Sequence, residues 1–186
     1  MTRIALTVVG ATLLGATAAA QSVRYGVGAG LLLPAGDYHS QDKMGWIVGA
    51  DVTYWLASAS IAIRAEGSYS RTTQKQGACC LSDHAIAMVG GLVDVVYALG
   101  KAVDPIRPYL VAGVGLYNWR LSAPGFSTSS VTQAGFGGGA GVAYRVGTGS
   151  TRVFLEGKVT TVTVNGVSYV SIPIRVGVRF GANPRQ

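Results

Sequence analysis

The segment Ala134–Val146, which reads AGFGGGAGVAYRV, decides the fold of this chain. Its odd-numbered positions hold only glycine, one alanine and Arg145, whereas its even-numbered positions are apolar or aromatic apart from Gly138. A repeat of two residues is the period of a β-strand, because successive side chains of a strand point to opposite faces of the sheet. We therefore predict a strand with one apolar face and one face of very small side chains.

The same alternation recurs along the chain. Seven further stretches show it, and they begin near Val23, Gly45, Ile61, His84, Pro108, Val153 and Ile172. Strands of about ten residues suit a tilted crossing of a bilayer. Charged residues make up only 12% of the chain, about half the share of a soluble domain. We predict an all-β fold, an eight-stranded antiparallel up-and-down transmembrane β-barrel.

The connections between the predicted strands differ in length. Short turns are predicted at Ala57–Ser60 and Gly147–Thr151, with a medium one at Gly100–Arg107. The longer polar loops are Pro34–Met44, Arg71–Asp83 and Leu121–Val131, with a shorter one near Asn165–Val167. Outer-membrane barrels have short periplasmic turns and longer external loops. We expect the same orientation here.

The first twenty residues have the pattern of a secretory signal peptide. Arg3 supplies a positive charge, an apolar stretch follows, and the small residues Thr17–Ala20 are typical of a cleavage site. We predict a signal peptide at residues 1–20, an outer-membrane barrel at 21–180 and a short C-terminal tail at 181–186.

Alternation alone does not tell which face points into the barrel. A periplasmic, lipocalin-like binder would turn its apolar face inward and its polar face to water. The polar faces here are mostly Gly and Ser with few charges, too sparse for a solvated surface but suited to the narrow lumen of an eight-stranded barrel. We therefore expect the apolar faces to contact lipid.

Aromatic residues cluster near the ends of the predicted strands, where membrane barrels carry two aromatic girdles. We predict one girdle from Tyr25, Tyr54, Trp55, Tyr97, Tyr109, Tyr144, Phe154 and Phe180, and the other from Trp46, Tyr69, Tyr117, Trp119, Phe136 and Tyr169.

The inward faces carry charges of both signs, and buried charges need partners of opposite sign. We predict a lumen charge network of Arg24, Asp51, Arg64, Glu66, Asp94, Arg145, Glu156, Lys158, Arg175 and Arg179. The net charge of +7 comes from scattered basic residues that form no run. We expect no nucleic-acid partner, and we expect basic residues at the rims to face lipopolysaccharide phosphates.

The two cysteines, Cys79 and Cys80, are adjacent. Neighbouring cysteines can close only a small strained ring. They are therefore a candidate loop disulfide that would not link distant parts of the fold. His84 lies nearby, but three residues on one loop are too few to predict a metal site. We expect no metal and no cofactor.

Four segments carry a family resemblance: IRAEGSY at 63–69, PY at 108–109 followed by AGVG at 112–115, GAGVAYR at 139–145 and IPIRVGVRF at 172–180. In this order they resemble the small outer-membrane barrel family, which includes the transmembrane domain of the OmpA type and the OmpX/Ail type. The resemblance implies an outer-membrane location and a last strand that serves as an assembly signal for the insertion machinery, through Ile174, Val176, Val178 and Phe180. That family usually ends on its aromatic residue, whereas Gly181–Gln186 follow Phe180 here.

Such barrels host unrelated functions. We expect a non-enzymatic outer-membrane protein with a structural, envelope-integrity or surface-interaction role, whose partners are outer-membrane lipid and lipopolysaccharide, with no surface ligand predicted. The alternatives are passive transport of a small or hydrophobic solute, a periplasmic lipocalin-like binder, and a lipid A-modifying barrel enzyme. The enzyme would need an activated Ser and His, and the candidates are His39 beside Ser40 and His84 near Ser82. Neither spacing matches a site known from the resemblance, so we predict no catalytic residue.

Overall fold

The computed structural model describes residues 23–36, 43–56, 60–73, 85–122, 129–164 and 167–181. These contain the strands β1 (Val23–Ala35), β2 (Gly45–Trp55), β3 (Ile61–Thr73), β4 (Ala85–Ala98), β5 (Ile106–Ser122), β6 (Ser129–Arg145), β7 (Arg152–Val164) and β8 (Val167–Gly181). Within these residues, no helix is long and apolar enough to cross a membrane. The predicted signal peptide at 1–20, the cysteine pair Cys79 and Cys80, and His39 and His84 lie outside the described residues.

Each strand pairs antiparallel with its neighbours in chain order, and β1 pairs with β8 to close the ring. The prediction of an eight-stranded antiparallel barrel is thus confirmed. The two longest connections, nine residues after β1 and eleven after β3, lie at one end of the barrel, and we assign the opposite end, with the turns after β2, β4 and β6, to the periplasm. Gly100 and Gly147 have φ angles of 85° and 66°, a left-handed backbone that favours glycine in these tight turns.

The outer wall of the barrel is apolar. Val114, Phe136 and Leu116 each expose about 60% of their surface, and valine, leucine and isoleucine side chains dominate the same face on the other strands. Such a wall would be unfavourable in water and suits the hydrocarbon of a bilayer. The lipocalin-like alternative, with its apolar face inward, is therefore wrong.

Several aromatic residues that we predicted for the girdles lie inside the barrel. Tyr25, Tyr54, Tyr97, Tyr144 and Phe180 do face outward at the periplasmic end, and Trp46 contacts Tyr69 on the outer face at the other end, with ring centroids 5.4 Å apart. The inward residues are Trp55, Tyr109, Phe154, Tyr117, Trp119 and Tyr169, whose ring centroid lies 5.4 Å from that of Trp119. The girdle prediction is wrong for these six, because their position in the alternation, and not their nearness to a strand end, sets their direction.

The lumen is filled by three layers of side chains. Trp55, Ala62, Val96, Ala98, Tyr109, Val111, Ala143 and Phe154 form an apolar layer near the periplasmic end. Leu32, Met88, Leu92, Tyr117 and Val162 form a second apolar layer near the external end. Charged side chains occupy the space between them. Glycines on the inner face leave room for these large side chains, as expected for a barrel of this size.

Two glycines on paired strands allow a test of this packing. A methyl group on Gly139 would lie 2.7 Å from Lys158 Cα and still closer to the Gly157 carbonyl oxygen, whereas one on Gly157 would meet open space on the outer face. We expect Gly139→Ala to lower the free energy of unfolding by about 1–3 kcal/mol, because the backbone of β7 must move. The matched control Gly157→Ala should change it by less than about 0.5 kcal/mol. Urea titration of the barrel in detergent micelles measures both, and equal stabilities would contradict the packing described.

Candidate functional site

Eight charged side chains meet in the middle of the lumen, and we call them the central cluster. They are Asp51, Arg64, Glu66, Asp94, Glu156, Lys158, Arg175 and Arg179. They come from β2, β3, β4, β7 and β8. Alternation turns each of them inward, and all are buried.

Glu156 is the centre of the cluster. Its carboxylate accepts a hydrogen bond from Arg64 Nη1 at 2.6 Å and from Arg175 Nη2 at 2.7 Å. Arg179 Nη2 donates to it at 3.3 Å, and the Tyr109 hydroxyl donates at 2.9 Å. Because β3 and β7 lie opposite each other in a ring of eight strands, the contact between Arg64 and Glu156 spans the lumen.

A second set of contacts ties the cluster to the external half of the barrel. Lys158 Nζ donates to Asp94 Oδ2 at 2.8 Å and to Glu66 Oε2 at 3.1 Å. Arg64 also donates two bonds to Asp94 Oδ2, at 2.8 and 3.0 Å. Arg175 Nη2 reaches Glu66 Oε2 at 2.7 Å. Each of these carboxylates therefore has more than one cationic donor.

The remaining carboxylate, Asp51, lies on the periplasmic side of the cluster. The Thr53 hydroxyl donates to it at 2.9 Å, and Arg179 Nε lies 3.3 Å from Asp51 Oδ1. The cluster thus holds four carboxylates and four cations. Equal charge of the two signs offsets the large cost of removing these groups from water.

The structure does not bring every residue of the predicted lumen network into this cluster. Arg145 lies at the periplasmic rim, where its Nη2 donates to the Val103 carbonyl oxygen at 2.6 Å. Its prediction as a lumen partner is wrong, because the end of β6 is level with the turn before β5. Arg24 is buried, but it lines a cavity at the periplasmic mouth.

Sequence reasoning did not assign Tyr109, Thr53, Arg107 or Arg152 to the lumen network. Tyr109 bridges Glu156 and Arg179, since its hydroxyl donates to the first and accepts from the second at 3.1 Å. Thr53 supports Asp51. Arg107 and Arg152 were predicted to lie at or beyond strand ends, whereas both belong to strands and are buried. The alternation extended by one or two positions would have placed both arginines inside.

The closing strand β8 presents the predicted assembly residues outward. Ile174, Val176, Val178 and Phe180 pair with Leu31, Ala29, Val27 and Tyr25 of β1. The Phe180 and Tyr25 rings stack with centroids 6.1 Å apart. The role of these residues in assembly stays a prediction.

Two exposed arginines lie at the external end of the outer wall. Arg71 of β3 and Arg120 of β5 are both register partners of Ala87 on β4, so they flank it on adjacent strands. Strand spacing places their backbones about 10 Å apart. We call them the rim pair.

The described residues contain no group of three His, Cys, Asp or Glu side chains that could hold a metal ion. The central cluster itself has all its carboxylates bound to cations, which leaves no open position for a substrate. Its arrangement is that of a structural network.

Comparison with known proteins agrees with this geometry. Residues 4–184 match the family model described as the outer membrane protein beta-barrel domain. Neisserial surface protein A is similar in structure, with a TM-score of 0.68, 16% identity and coverage of 86% of this chain and 96% of that one. A major outer membrane protein from Thermus thermophilus has a TM-score of 0.54 at 13% identity and covers 86% and 99%. The N-terminal barrel domain of Pseudomonas aeruginosa OprF has a TM-score of 0.52 at 16% identity and covers 86% and 98%. Comparison with curated proteins found no match.

Removing the charge of Glu156 tests the central cluster. We expect Glu156→Gln to lower the free energy of unfolding by about 3–5 kcal/mol, because Arg64, Arg175 and Arg179 would lose a shared counter-charge inside the lumen. Adding Arg64→Gln should recover part of the loss, since it restores the balance of charge. Urea titration in micelles measures each variant.

Asp104→Asn is the control for this experiment. Asp104 lies in the turn before β5, outside the cluster, where its carboxylate accepts a hydrogen bond from the backbone N–H of Lys101. We expect this substitution to change the free energy of unfolding by less than about 1 kcal/mol. Equal losses for Glu156→Gln and Asp104→Asn would contradict the central role of Glu156.

Proposed function

This chain belongs to the outer membrane protein beta-barrel domain family, and we propose that it is a non-enzymatic envelope protein with a closed lumen that presents its external loops at the cell surface. The proposal starts from the barrel fold and its outer-membrane location. The observation that carries it is the filled lumen.

A closed lumen argues against passive transport. The contact between Arg64 and Glu156 crosses the lumen at its middle. Apolar layers lie on both sides of this contact. An ion moving through would have to break a charge-balanced network and also cross the apolar layer around Leu32, Leu92 and Val162 near the external end.

The external loops are the parts of the chain left for contact with other molecules. The polar segments 37–42, 74–84 and 123–128 connect strands at that end and are rich in Ser, Thr, Gln and Gly. A rigid barrel that carries variable loops is a common way to hold a binding surface. This favours a surface-interaction role over a purely structural one.

The rim pair supports a contact with lipopolysaccharide. Arg71 and Arg120 are exposed on the lipid-facing wall at the external end. Arginine binds phosphate with paired N–H donors, and two arginines about 10 Å apart can hold one phosphorylated headgroup. We propose that this pair binds a lipid phosphate in the outer leaflet.

Conductance through a planar bilayer tests the closed lumen. We expect the purified barrel to show no unitary current above the noise, because the layered lumen leaves no continuous water path. A general porin reconstituted in the same bilayer is the positive control. Reproducible single-channel steps from this barrel would contradict the closed lumen and would support passive transport as its function.

Complementation of a strain that lacks the protein tests the surface role. We expect a variant with residues 37–42 and 74–84 replaced by Gly and Ser to restore resistance to detergent but not adhesion of the cells to surfaces. The wild-type protein should restore both. Loss of detergent resistance in a loop-replaced variant that still shows the heat-dependent gel shift of a folded barrel would favour envelope integrity as the role of the loops.

The same strains test the absence of catalysis. Mass spectrometry should find one lipid A acylation pattern in the wild type, the deletion strain and the His39→Ala, His84→Ala double variant. A pattern that changes on deletion, and changes in the same way in the double variant, would establish a lipid-modifying enzyme.

The rim pair is tested by co-purification. We expect Arg71→Ser with Arg120→Ser to reduce lipopolysaccharide bound to the purified barrel by about tenfold, since each arginine contributes a charge-assisted contact. Lys43→Ser is the control, because Lys43 is also exposed at the external end but is not part of the pair. Equal amounts of lipid on all three proteins would exclude the proposed contact.

A further inference from the structure

Strand β6 extends beyond its neighbour β7 at the external end of the barrel. The last register pair between the two strands is Gly135 with Val162, whereas β6 begins at Ser129. On its other side β6 is paired with β5 up to the pair of Leu121 with Ser129. We call the segment Ser129–Ala134 the open edge. At the rise of a β-strand it is about 20 Å long.

The side of the open edge that faces β7 has no partner strand among the residues that the structure describes. Thr163 and Val164 are the next residues of β7, and their register partners are Ser168 and Val167 of β8, with none on β6. The hairpin of β7 and β8 turns back at this level. Strand β6 therefore rises above that hairpin with one side bare.

Two backbone hydrogen bonds at the periplasmic end show which residues of β6 point to the bare side. The N–H of Arg145 donates to the Pro105 carbonyl oxygen on the β5 side, and the N–H of Val146 donates to the Thr151 carbonyl oxygen on the β7 side. Successive residues of an antiparallel strand alternate between their two neighbouring strands. The register of β5 with β6 is continuous, so even-numbered residues of β6 point toward β7. The N–H and C=O groups that line the open edge are those of Ser130, Thr132 and Ala134.

The upper part of the open edge lies above the hydrocarbon of the membrane. Ser130 and Thr132 face outward beside Arg120 and Asn118 of β5, and none of these four side chains is apolar. The Asn118 amide donates to the Thr132 hydroxyl at 2.8 Å. Unpaired backbone groups are costly in lipid, whereas in water a partner can reach them. The bare side of β6 is therefore accessible from outside the cell.

The open edge lacks the features that protect a free strand. Proteins guard such edges with lysine, proline or bulges, because a bare strand is a template for pairing. The open edge reads SSVTQA, with no charge and no proline, and its register with β5 has no bulge. Val131 is 40% exposed on the inner face and is the register partner of Trp119. An added strand with an apolar residue at this height would cover Val131.

We propose that the open edge binds an extended, uncharged peptide segment of another protein as an additional antiparallel strand. The main-chain groups of Ser130, Thr132 and Ala134 supply the hydrogen bonds, and the contact with Val131 selects an apolar side chain. This inference rests on the surface role proposed above and names the class of partner.

A second copy of this chain fits the open edge less well. Two barrels in one membrane have the same orientation, so their β6 strands run in the same direction. They can pair only in parallel, which is slightly less stable per residue than antiparallel pairing. A peptide of another protein has no such constraint.

The probe for the open edge is a fluorescein-labelled peptide with the β7 sequence of residues 159–164, VTTVTV, and two lysines at each end for solubility. We expect saturable binding to the purified barrel in detergent micelles, measured by fluorescence anisotropy. The same peptide with proline in place of its second valine should not bind, because proline donates no ladder hydrogen bond. Absence of saturation, or equal binding of both peptides, would overturn the proposal.

Thr132→Pro removes one N–H group from the open edge and, because this group does not point to β5, leaves the ladder of β5 with β6 intact. We expect it to weaken peptide binding by about tenfold. Thr132→Ala is the matched control, since both variants lose the hydroxyl that Asn118 contacts but alanine keeps the N–H. Its affinity should equal that of the wild type, and equal affinities of the two variants would count against the open edge. Ser130→Pro and Ser130→Ala repeat the comparison if Thr132→Pro lacks the heat-dependent gel shift of a folded barrel.

Hydrogen exchange, measured by NMR in micelles, tests whether the chain itself covers the open edge. The N–H groups of Thr132 and Ala134 should exchange fast and those of Val131 and Gln133, which point to β5, slowly. The peptide should slow the first two. Slow exchange of Thr132 and Ala134 without peptide would mean that a loop of the same chain is the occupant. A dimer in sedimentation that Thr132→Pro dissociates would mean that a second copy is, and either result would overturn the proposal.

The open edge and the surface role can fail separately. The titration needs only the purified barrel, whereas the complementation assay measures adhesion of cells. Saturable peptide binding supports the open edge even if the wild type restores no adhesion, a result that would contradict the surface role alone. Full adhesion of cells that carry Thr132→Pro would overturn the open edge as the contact surface and leave the surface role to the loops.

Discussion

The closure of β1 on β8 is the constraint on which the rest of this structure depends. A strand in hydrocarbon must hydrogen-bond all its backbone groups to neighbouring strands, because lipid offers no partners and an open edge would leave a row of them unsatisfied. The register from Arg24 with Gly181 to Ala35 with Val170 meets this need over the length of β1. Once the ring is closed, one face of every strand contacts lipid and the other face points into the lumen.

The closed ring also determines how the charges are held. Eight strands leave a lumen just wide enough for side chains, so opposite walls come within reach of a single ion pair, as between Arg64 and Glu156. In so narrow a space each charge must find a counter-charge, and the central cluster provides four of each sign. Buried ion pairs are weak evidence for added stability. They do make a slip of register costly, because a shift of β3 or β7 would separate Arg64 from Glu156 and leave both charges buried without this partner.

The sequence predicted the part of this structure that depends on the alternation. Strand number, order and the outward direction of Val27 or Phe136 follow from a period of two, and so does the inward direction of Glu156. Predictions based on position along a strand were weaker. Trp55 and Phe154 lie near strand ends but point inward, and Arg145 is level with a turn carbonyl that the sequence could not place. The partners across the lumen, such as Tyr109 with Glu156, depend on how far successive strands are shifted along one another around the barrel. A local sequence pattern does not predict that shift.

The two ends of the lumen are filled by different kinds of side chain. A barrel that needed only a filled interior would be served by a neutral middle with apolar layers above and below, as found at the external end around Leu92 and Tyr117. At the periplasmic end the apolar layer is interrupted by arginines on three strands, beside Trp55 and Tyr109. Burying a charged side chain is costly, and Arg152 offsets part of this cost by donating to the carbonyl oxygens of Ala102 and Asp104. The periplasmic end therefore depends on arginine contacts with turn carbonyls and aromatic rings, such as Arg107 over Trp55, whereas the external end depends on apolar packing.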